Sequence, residues 1–502
     1  MSSSILLGVD IGTNAAKVSA FAPDGTVVGY AQCGYPTHRP QPLCAEQDPN
    51  DWWWAFRSAM QELSSSDGLK QVVIGAIGVA GQTNGHVLLK TDGSPLGRAI
   101  VWQDRRAIEQ ANWLQQTFSH EDRERFLGVV LPLDSSTIPA RMLWLKQHQA
   151  NELAQARAVL QPKDYLNFRL TGQLATDVVS CKTIVNLITG RFDPVYFDIL
   201  GISPELFPTP VSPVSIVGVT QDHSDIGLPA GIPVVAGTID AWANILGSGV
   251  CEVGQASEIA GTSEVISVIG DHIVSTDRFN VIPSFDRLIL NGPTQAGAGS
   301  LDWFAAVIYA SPPGTTPHNR DQLYAKWFQE VQTVPQGLAG LVFLPYLQGE
   351  RTPIWDSRAR GAFVGLSLIH EQRHLVRAVL EGVAFNVRYV LETIERIGNI
   401  KVESIHISGG GAKSDTWNQI KADITGKELH RPFELETCAL GAAMLAGIGT
   451  GIYKSYKDAA TRAVRFEKSY LPNPDSHAAY QTAFEVFCDL YPRLKDVFHR
   501  MS

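Results

Sequence analysis

Ile5-Leu6-Leu7-Gly8-Val9-Asp10-Ile11-Gly12-Thr13 is an apolar run that ends in a carboxylate and then a glycine turn. Two further runs, Lys17-Val18-Ser19-Ala20-Phe21 and Thr26-Val27-Val28-Gly29-Tyr30, follow across Gly-Thr-Asn and Pro23-Asp24-Gly25. Short runs of strand composition separated by turn residues predict a three-stranded meander. Helical spacing over residues 52–63 and 105–118 alternates with buried-strand patterns at Val72–Val79 and Ala99–Trp102, as in a layered α/β fold.

Near residue 230 the pattern begins again. Gly231–Gly237 reads as a strand running into a loop. Ser257–Ser263 and Val265–Ile269 then repeat the strand, Gly-Thr turn and strand, with Leu288–Asn291 as a third strand. An internal duplication follows, with halves meeting near residue 250. A long helix is predicted over residues 372–396, with Leu375, Val379, Val383, Val387, Val390, Ile394 and Ile397 along one stripe. Ser404–Ser408, Gly409-Gly410-Gly411 and residues 415–424 then read as strand, turn and helix. The tail past residue 450 reads as a helical cap of the second half.

The 502 residues carry 41 Lys+Arg and 50 Asp+Glu, a net charge of −9, and are 44% hydrophobic. That balance predicts two to four domains and excludes the basic footprint that nucleic-acid binding needs. Apolar stretches such as residues 231–246 are broken by Thr238, Asp240 and Asn244, so no membrane span is expected. The N-terminus lacks a basic region and a small-residue cleavage site, and the six cysteines are scattered without C-x-x-C spacing. A cytoplasmic protein is expected.

Asp10-Ile11-Gly12-Thr13 has two readings. It is an ordinary hairpin turn, or one whose amides and Thr13 hydroxyl hold phosphate while Asp10 holds Mg²⁺. The second copy, Gly261-Thr262-Ser263, favours the phosphate reading. Three glycines at 409–411 leave no side chain between strand and helix, which suits a flat ring or ribose. Asp240, after an apolar strand, is either a helix N-cap or a general base for an attacking hydroxyl. Trp102 and Asp104 at one strand end, and Gln82-Thr83-Asn84 at another, offer the mixture of apolar face and polar groups that sugars require. His370-Glu371-Gln372-Arg373-His374 matches H-E-x-x-H. Glu392 and Glu395 lie about 27 to 32 Å further along the same predicted helix, too far to complete a zinc site, so Glu371 and His374 are read as helix-start residues.

With these motifs the chain resembles the FGGY carbohydrate kinase family. The most specific part is Gly361-Ala-Phe363-Val-Gly365-Leu366, seven residues, then His374-Leu375-Val-Arg-Ala378-Val379-Leu380-Glu381. The N-terminal signature departs at Ile138 and at Arg141, where Lys is usual. Ala45–Trp53, Gly81-Gln82, Lys163-Asp164-Tyr165 and the stretch from Pro345 to Pro353 most resemble the family's xylulokinases. The resemblance implies two duplicated ribonuclease H-like, actin-type ATPase domains: 1–248, sugar-binding and catalytic, and 249–502, nucleotide-binding, with ATP and Mg²⁺ in the interdomain cleft. It implies Asp240 as catalytic base and Asp10 as the metal-side carboxylate. Thr13, Lys17, Gly261 and Thr262 fall on the phosphate side, with Asp302 near ribose or phosphates and Gly410, Gly411 and Asp415 near adenosine. The sugar would meet Gln82, Thr83, Asn84, Trp102, Asp104 and Asp240. A homodimer is also implied. Thr83-Asn84 replaces the usual Met-His, and Asp240-Ala241 the usual Asp-Asn. D-xylulose is therefore the expected sugar, with another pentulose or a polyol of glycerol or erythritol type as the alternative. A nucleotide-switched interaction protein related to actin is the rival class, and it lacks the 361–381 signature.

Overall fold

The computed structural model describes residues 4–66, 72–309, 317–337 and 340–501. They form two compact units: 1–251 with 281–288 and 436–465, and 252–280 with 289–435 and 466–502.

In the first sheet, β1 (Ser4–Ile11), β2 (Ala15–Phe21) and β3 (Val27–Gly34) make the predicted meander. β4 (Val73–Gly81), β5 (Ile216–Val219), β6 (Pro233–Val235) and β7 (Thr238–Ile239) complete it in the order β5-β6-β4-β1-β2-β3, with β7 also pairing β4. β4 runs parallel to β1, β6 and β7. Parallel pairing brings the carboxyl ends of β1, β4 and β7 together: Asp10 lies opposite Ala80, and both Ile11 and Ile239 lie opposite Gly81. Three polar motifs far apart in sequence therefore emerge at one sheet edge, where parallel α/β sheets place their ligands.

Helix Thr437–Gly449 returns to cover this sheet. Its backbone comes so close that a Cβ on Gly8 or Gly78 would lie 1.9 or 1.8 Å from the carbonyl oxygen of Ala439 or Ala442. Gly247 and Gly441 allow the same approach between this helix and Asp240–Gly247. Glycine has no Cβ to obstruct such contact.

The second sheet repeats the plan. β8 (Gln255–Ala260), β9 (Glu264–Gly270), β10 (Asn280–Ser284), β11 (Arg287–Pro293), β12 (Ser404–Ser408), β13 (Glu428–Pro432) and β14 (Phe466–Tyr470) are ordered β10-β11-β9-β8-β12-β13-β14. In both sheets an antiparallel hairpin is followed by two parallel neighbours and an antiparallel edge strand.

Three expectations are corrected. Gly231–Gly237 does not begin the second copy; its strand is β6, held inside the first sheet by pairing with β4 and β5, and the second copy starts at Gln255. The helix expected over 105–118 is confined to Ile108–Thr117, because Asp104 and Arg106 are tied into the preceding loop. The tail past residue 450 is not wholly helical: β14 is a strand of the second sheet, exposed at four of its five residues and so without a buried-strand pattern. The long helix does span Gln372–Gly398, and Asn399 ends it in the left-handed conformation, φ 44°.

Candidate active site

Asp10 is buried at the end of β1, and its Oδ1 has no hydrogen-bond partner among the described residues. Burial, and then the charge of Asp240, push its carboxyl up to about 7, against the opposing pull of Lys17. Lys17 itself is held by Glu436 at 2.5 Å, so its ammonium is shared rather than committed to Asp10. Cys438, at the start of the returning helix, also lies near Asp10 and pulls its carboxyl the other way.

Asp240 is half-buried and is the first residue of its helix; Ile239, not Asp240, occupies the N-cap. Its Oδ1 accepts from the Ala241 amide at 2.8 Å. Burial raises its carboxyl to about 6, with that amide and Lys182 pulling the other way. A carboxylate with this affinity is ionised at neutral pH and still basic enough to take a proton in transit.

Beside them the loop after β4 carries three more of the expected residues. Gln82 is buried, donates to Gln47 Oε1 at 2.8 Å, and leaves its own Oε1 without a partner among the described residues. Asn84 sits at φ 54° and donates to Ser136 Oγ at 2.9 Å. Thr83 Oγ1 accepts from Lys182 Nζ at 3.0 Å. Trp102 is partly exposed, and its Nε1 donates to Thr13 Oγ1 at 3.1 Å, joining the expected sugar side to the first Gly-Thr turn. Asp104 differs from its neighbours. It is fully buried, and its carboxylate accepts from the Ala45 amide at 2.6 Å and from the amide and Nε of Arg106. It braces the loop that presents Trp102.

Several residues that shape this site were not singled out from sequence. Tyr35 donates to the carbonyls of Gly12 and Ala15, and Gln47 donates to that of Thr13 at 2.7 Å, so the first turn is fixed from below. Lys182 had one available signal: it is the single charge in residues 178–190. Cys438 and Glu436 had none, since they reach Asp10 and Lys17 only through the returning segment 436–465.

In the second unit, the turn Gly261-Thr262-Ser263 docks on the start of helix Gly299–Tyr309, where the amides of Ala298, just before the helix, and of Gly299 donate to the carbonyls of Gly261 and Thr262 at 2.9 and 3.0 Å. Asp302, in the first turn of that helix, accepts from the Tyr324 hydroxyl and lies 3.4 Å from Arg320. Gly409 adopts φ 83° over the end of β8, whereas Gly410 is exposed and a Cβ there would meet nothing within 4 Å. Asp415 begins helix Asp415–Thr425 and is held by Arg431 at 2.9 Å, Lys468 at 2.8 Å and the Tyr470 hydroxyl at 2.5 Å. Of the H-E-x-x-H match, Glu371 is the N-cap of the long helix and its amide donates to His374 Nδ1 at 2.9 Å, a capping arrangement. No helix among the described residues is long and apolar enough to cross a membrane.

Comparison with known proteins covers nearly the whole chain. Residues 5–247 match the N-terminal domain, and residues 256–450 the C-terminal domain, of the FGGY family of carbohydrate kinases. The xylulose kinase of Escherichia coli is 33% identical over 497 residues, covering 97% of this chain and 99% of that one. Two solved structures align over 99% of this chain and 100% of theirs: xylulose kinase from Rhodospirillum rubrum, TM-score 0.89 at 27% identity, and gluconate kinase from Lactobacillus acidophilus, TM-score 0.87 at 28% identity. The fold is the actin-like ATPase architecture of these structures, and the two family matches with the xylulose kinase relative make the protein a sugar kinase. The chain belongs to the FGGY family of carbohydrate kinases and uses ATP as its phosphate donor.

Proposed function

We propose that this kinase converts D-xylulose to D-xylulose 5-phosphate. The reading is carried by full-length likeness to a xylulose kinase at 33% identity. The first unit takes the sugar against Gln82, Thr83, Asn84 and Trp102, with Asp104 as a brace; the second carries the nucleotide-side groups Gly410, Gly411, Asp415 and Asp302. Thr13 on the first turn and Lys17 on the following strand β2, with Gly261 and Thr262 on the second turn, are the phosphate-side residues. A homodimer belongs to the same proposal.

In the reaction Asp240 accepts the proton of the attacking hydroxyl as its oxygen bonds to the γ-phosphorus of ATP and the bond to ADP breaks. No phosphoenzyme is formed. Asp10 is the carboxylate for Mg²⁺, which, when bound, supplies positive charge to the phosphates. The buried Oδ1 of Asp10, without a protein partner among the described residues, suits a hard cation. Trp102, Gln82 and Asn84 orient the sugar and limit water, so that binding energy goes into alignment. The test is ADP release measured over a panel of ketopentoses, polyols and ketohexoses. D-xylulose is expected to give the highest kcat/KM of that panel; a ribulose or glycerol preference overturns the assignment.

A further inference from the structure

Five lysines among the described residues are not exposed: Lys17, Lys163, Lys182, Lys421 and Lys427. Four of them have a carboxylate within 4.0 Å. Lys17 has Glu436, Lys163 has Asp164 and Asp177, Lys421 has Glu258 and Glu264, and Lys427 has Glu395. Lys182 is the exception. Its one hydrogen-bond partner among the described residues is the neutral hydroxyl of Thr83, at 3.0 Å.

The acids that act on Lys182 from further off are Asp134, Asp177 and Asp240. Each is already engaged: Asp134 by Ser136, Asp177 by Lys163, Ser180 and Thr238, and Asp240 by the Ala241 amide. A second cation adjoins the same loop. Arg141 is fully buried, donates to the carbonyls of Asn84, Ile100 and Val101, and has no carboxylate within 4.0 Å among the described residues. An ammonium taken out of water without an anion is costly, and a ligand that supplies the anion recovers that cost.

We propose that Lys182 is a specificity-determining residue that receives a carboxylate, so that the pocket at Thr83 and Asn84 takes open-chain sugar acids more tightly than neutral ketoses. The proposal rests on the sugar-kinase site above and refines its substrate class, with D-xylulose as the neutral congener. The carboxylate sits on Lys182 Nζ and the Thr83 hydroxyl, and the hydroxyl to be phosphorylated lies at the other end of the chain, toward Asp240.

The test is calorimetric titration of the full chain, without nucleotide, with D-xylulose, D-xylonate and D-gluconate, alongside ADP release on the same three. At least one acid is expected to bind roughly tenfold or more tightly than D-xylulose, the effect of one charge-assisted hydrogen bond. Lys182→Met should lower the acid-to-neutral affinity ratio by the same factor or more, and Lys182→Arg should restore most of it. D-xylulose binding more tightly than both acids, or a ratio unchanged in Lys182→Met, overturns the assignment. Should Lys182→Met not fold, the wild-type ratio and Lys182→Arg still decide. Acid binding without ADP release from any of the three sinks the kinase-substrate reading and leaves Lys182 in place; D-xylulose turnover with an unaltered ratio does the reverse.

Discussion

The two Gly-Thr turns occupy the same place in the two sheets but handle charge in opposite ways. In Asp10-Ile11-Gly12-Thr13 the residue before the last strand position is a buried carboxylate without a cation of its own; in Ile259-Ala260-Gly261-Thr262 it is isoleucine. The buried acids near the second turn, Glu258 and Glu264, are both held by Lys421. The turns also differ in length, since Ile11 pairs with Ala16 but Ala260 with Glu264. The plan of strands therefore does not require Asp10. An acid that the same architecture dispenses with elsewhere is not required for folding, which supports the proposed role of Asp10 in the chemistry.

The largest effect should come from breaking the paired side. Lys421→Met leaves two carboxylates buried together, and removing one partner of such a cluster costs roughly 3–5 kcal/mol. Urea unfolding should show a loss of that order; a loss under about 1 kcal/mol would mean that the cluster does not depend on its lysine.

Asp240→Asn removes the proposed base and should lower kcat about a thousandfold, within the range general bases supply, while nucleotide affinity stays within about twofold. Sugar-dependent ADP release within tenfold of wild type would break the assignment. At saturating Mg²⁺, which would hold Asp10 ionised, kcat/KM of the wild-type enzyme should fall about tenfold per pH unit below the Asp240 value of about 6, because the protonated acid cannot accept the hydroxyl proton.

Asp10→Asn separates chemistry from stability. The folded-state value of about 7 lies above the unfolded carboxyl's, roughly 3.9, so the folded protein holds a proton that the unfolded chain has released between those pH values. The stability this group contributes is full below about pH 4 and is lost as pH rises through 7. Without divalent ions, Asp10→Asn should therefore be more stable than wild type by on the order of 2–4 kcal/mol at pH 8 and no more stable at pH 4, while turnover collapses. Equal unfolding midpoints at pH 8 would show that Asp10 is satisfied in the folded state.

Much of this contrast was legible in sequence, and its limits have physical causes. The meander, the long helix and the Gly-Thr echo are local patterns of turn residues and periodicity, so they could be read directly. The strand at 233–235 misled because a buried parallel strand has the same composition in any copy; only its pairing with β4 distinguishes it. Residues 466–470 gave no signal, since an exposed edge strand needs no apolar alternation. At the site, Asp10, Asp240 and Gln82 were visible as polar residues ending apolar strands. Tyr35, Gln47 and Cys438 were not, because their contacts with the first turn or Asp10 depend on tertiary packing. Asp104 looked like a ligand group by position, and only the structure shows its oxygens filled from Ala45 and Arg106.

The glycine triplet gives the smallest effect and the sharpest separation of packing from binding. At Gly409 a side chain is excluded twice, by φ 83° and by the Ala260 carbonyl oxygen, 2.8 Å from where a Cβ would sit. Gly409→Ala should therefore cost at least about 1 kcal/mol of stability. At Gly410 neither constraint holds: the residue is exposed and a Cβ would enter open space. Folding alone gives no reason for glycine there, so Gly410→Ala should unfold within about 0.5 kcal/mol of wild type. Its cost should appear only when a nucleotide lies against the backbone, where an added methyl displaces the ring or ribose and raises KM for ATP several-fold without changing kcat. An unchanged KM would reduce the triplet to a tight turn and leave the adenosine side of the site to be sought elsewhere.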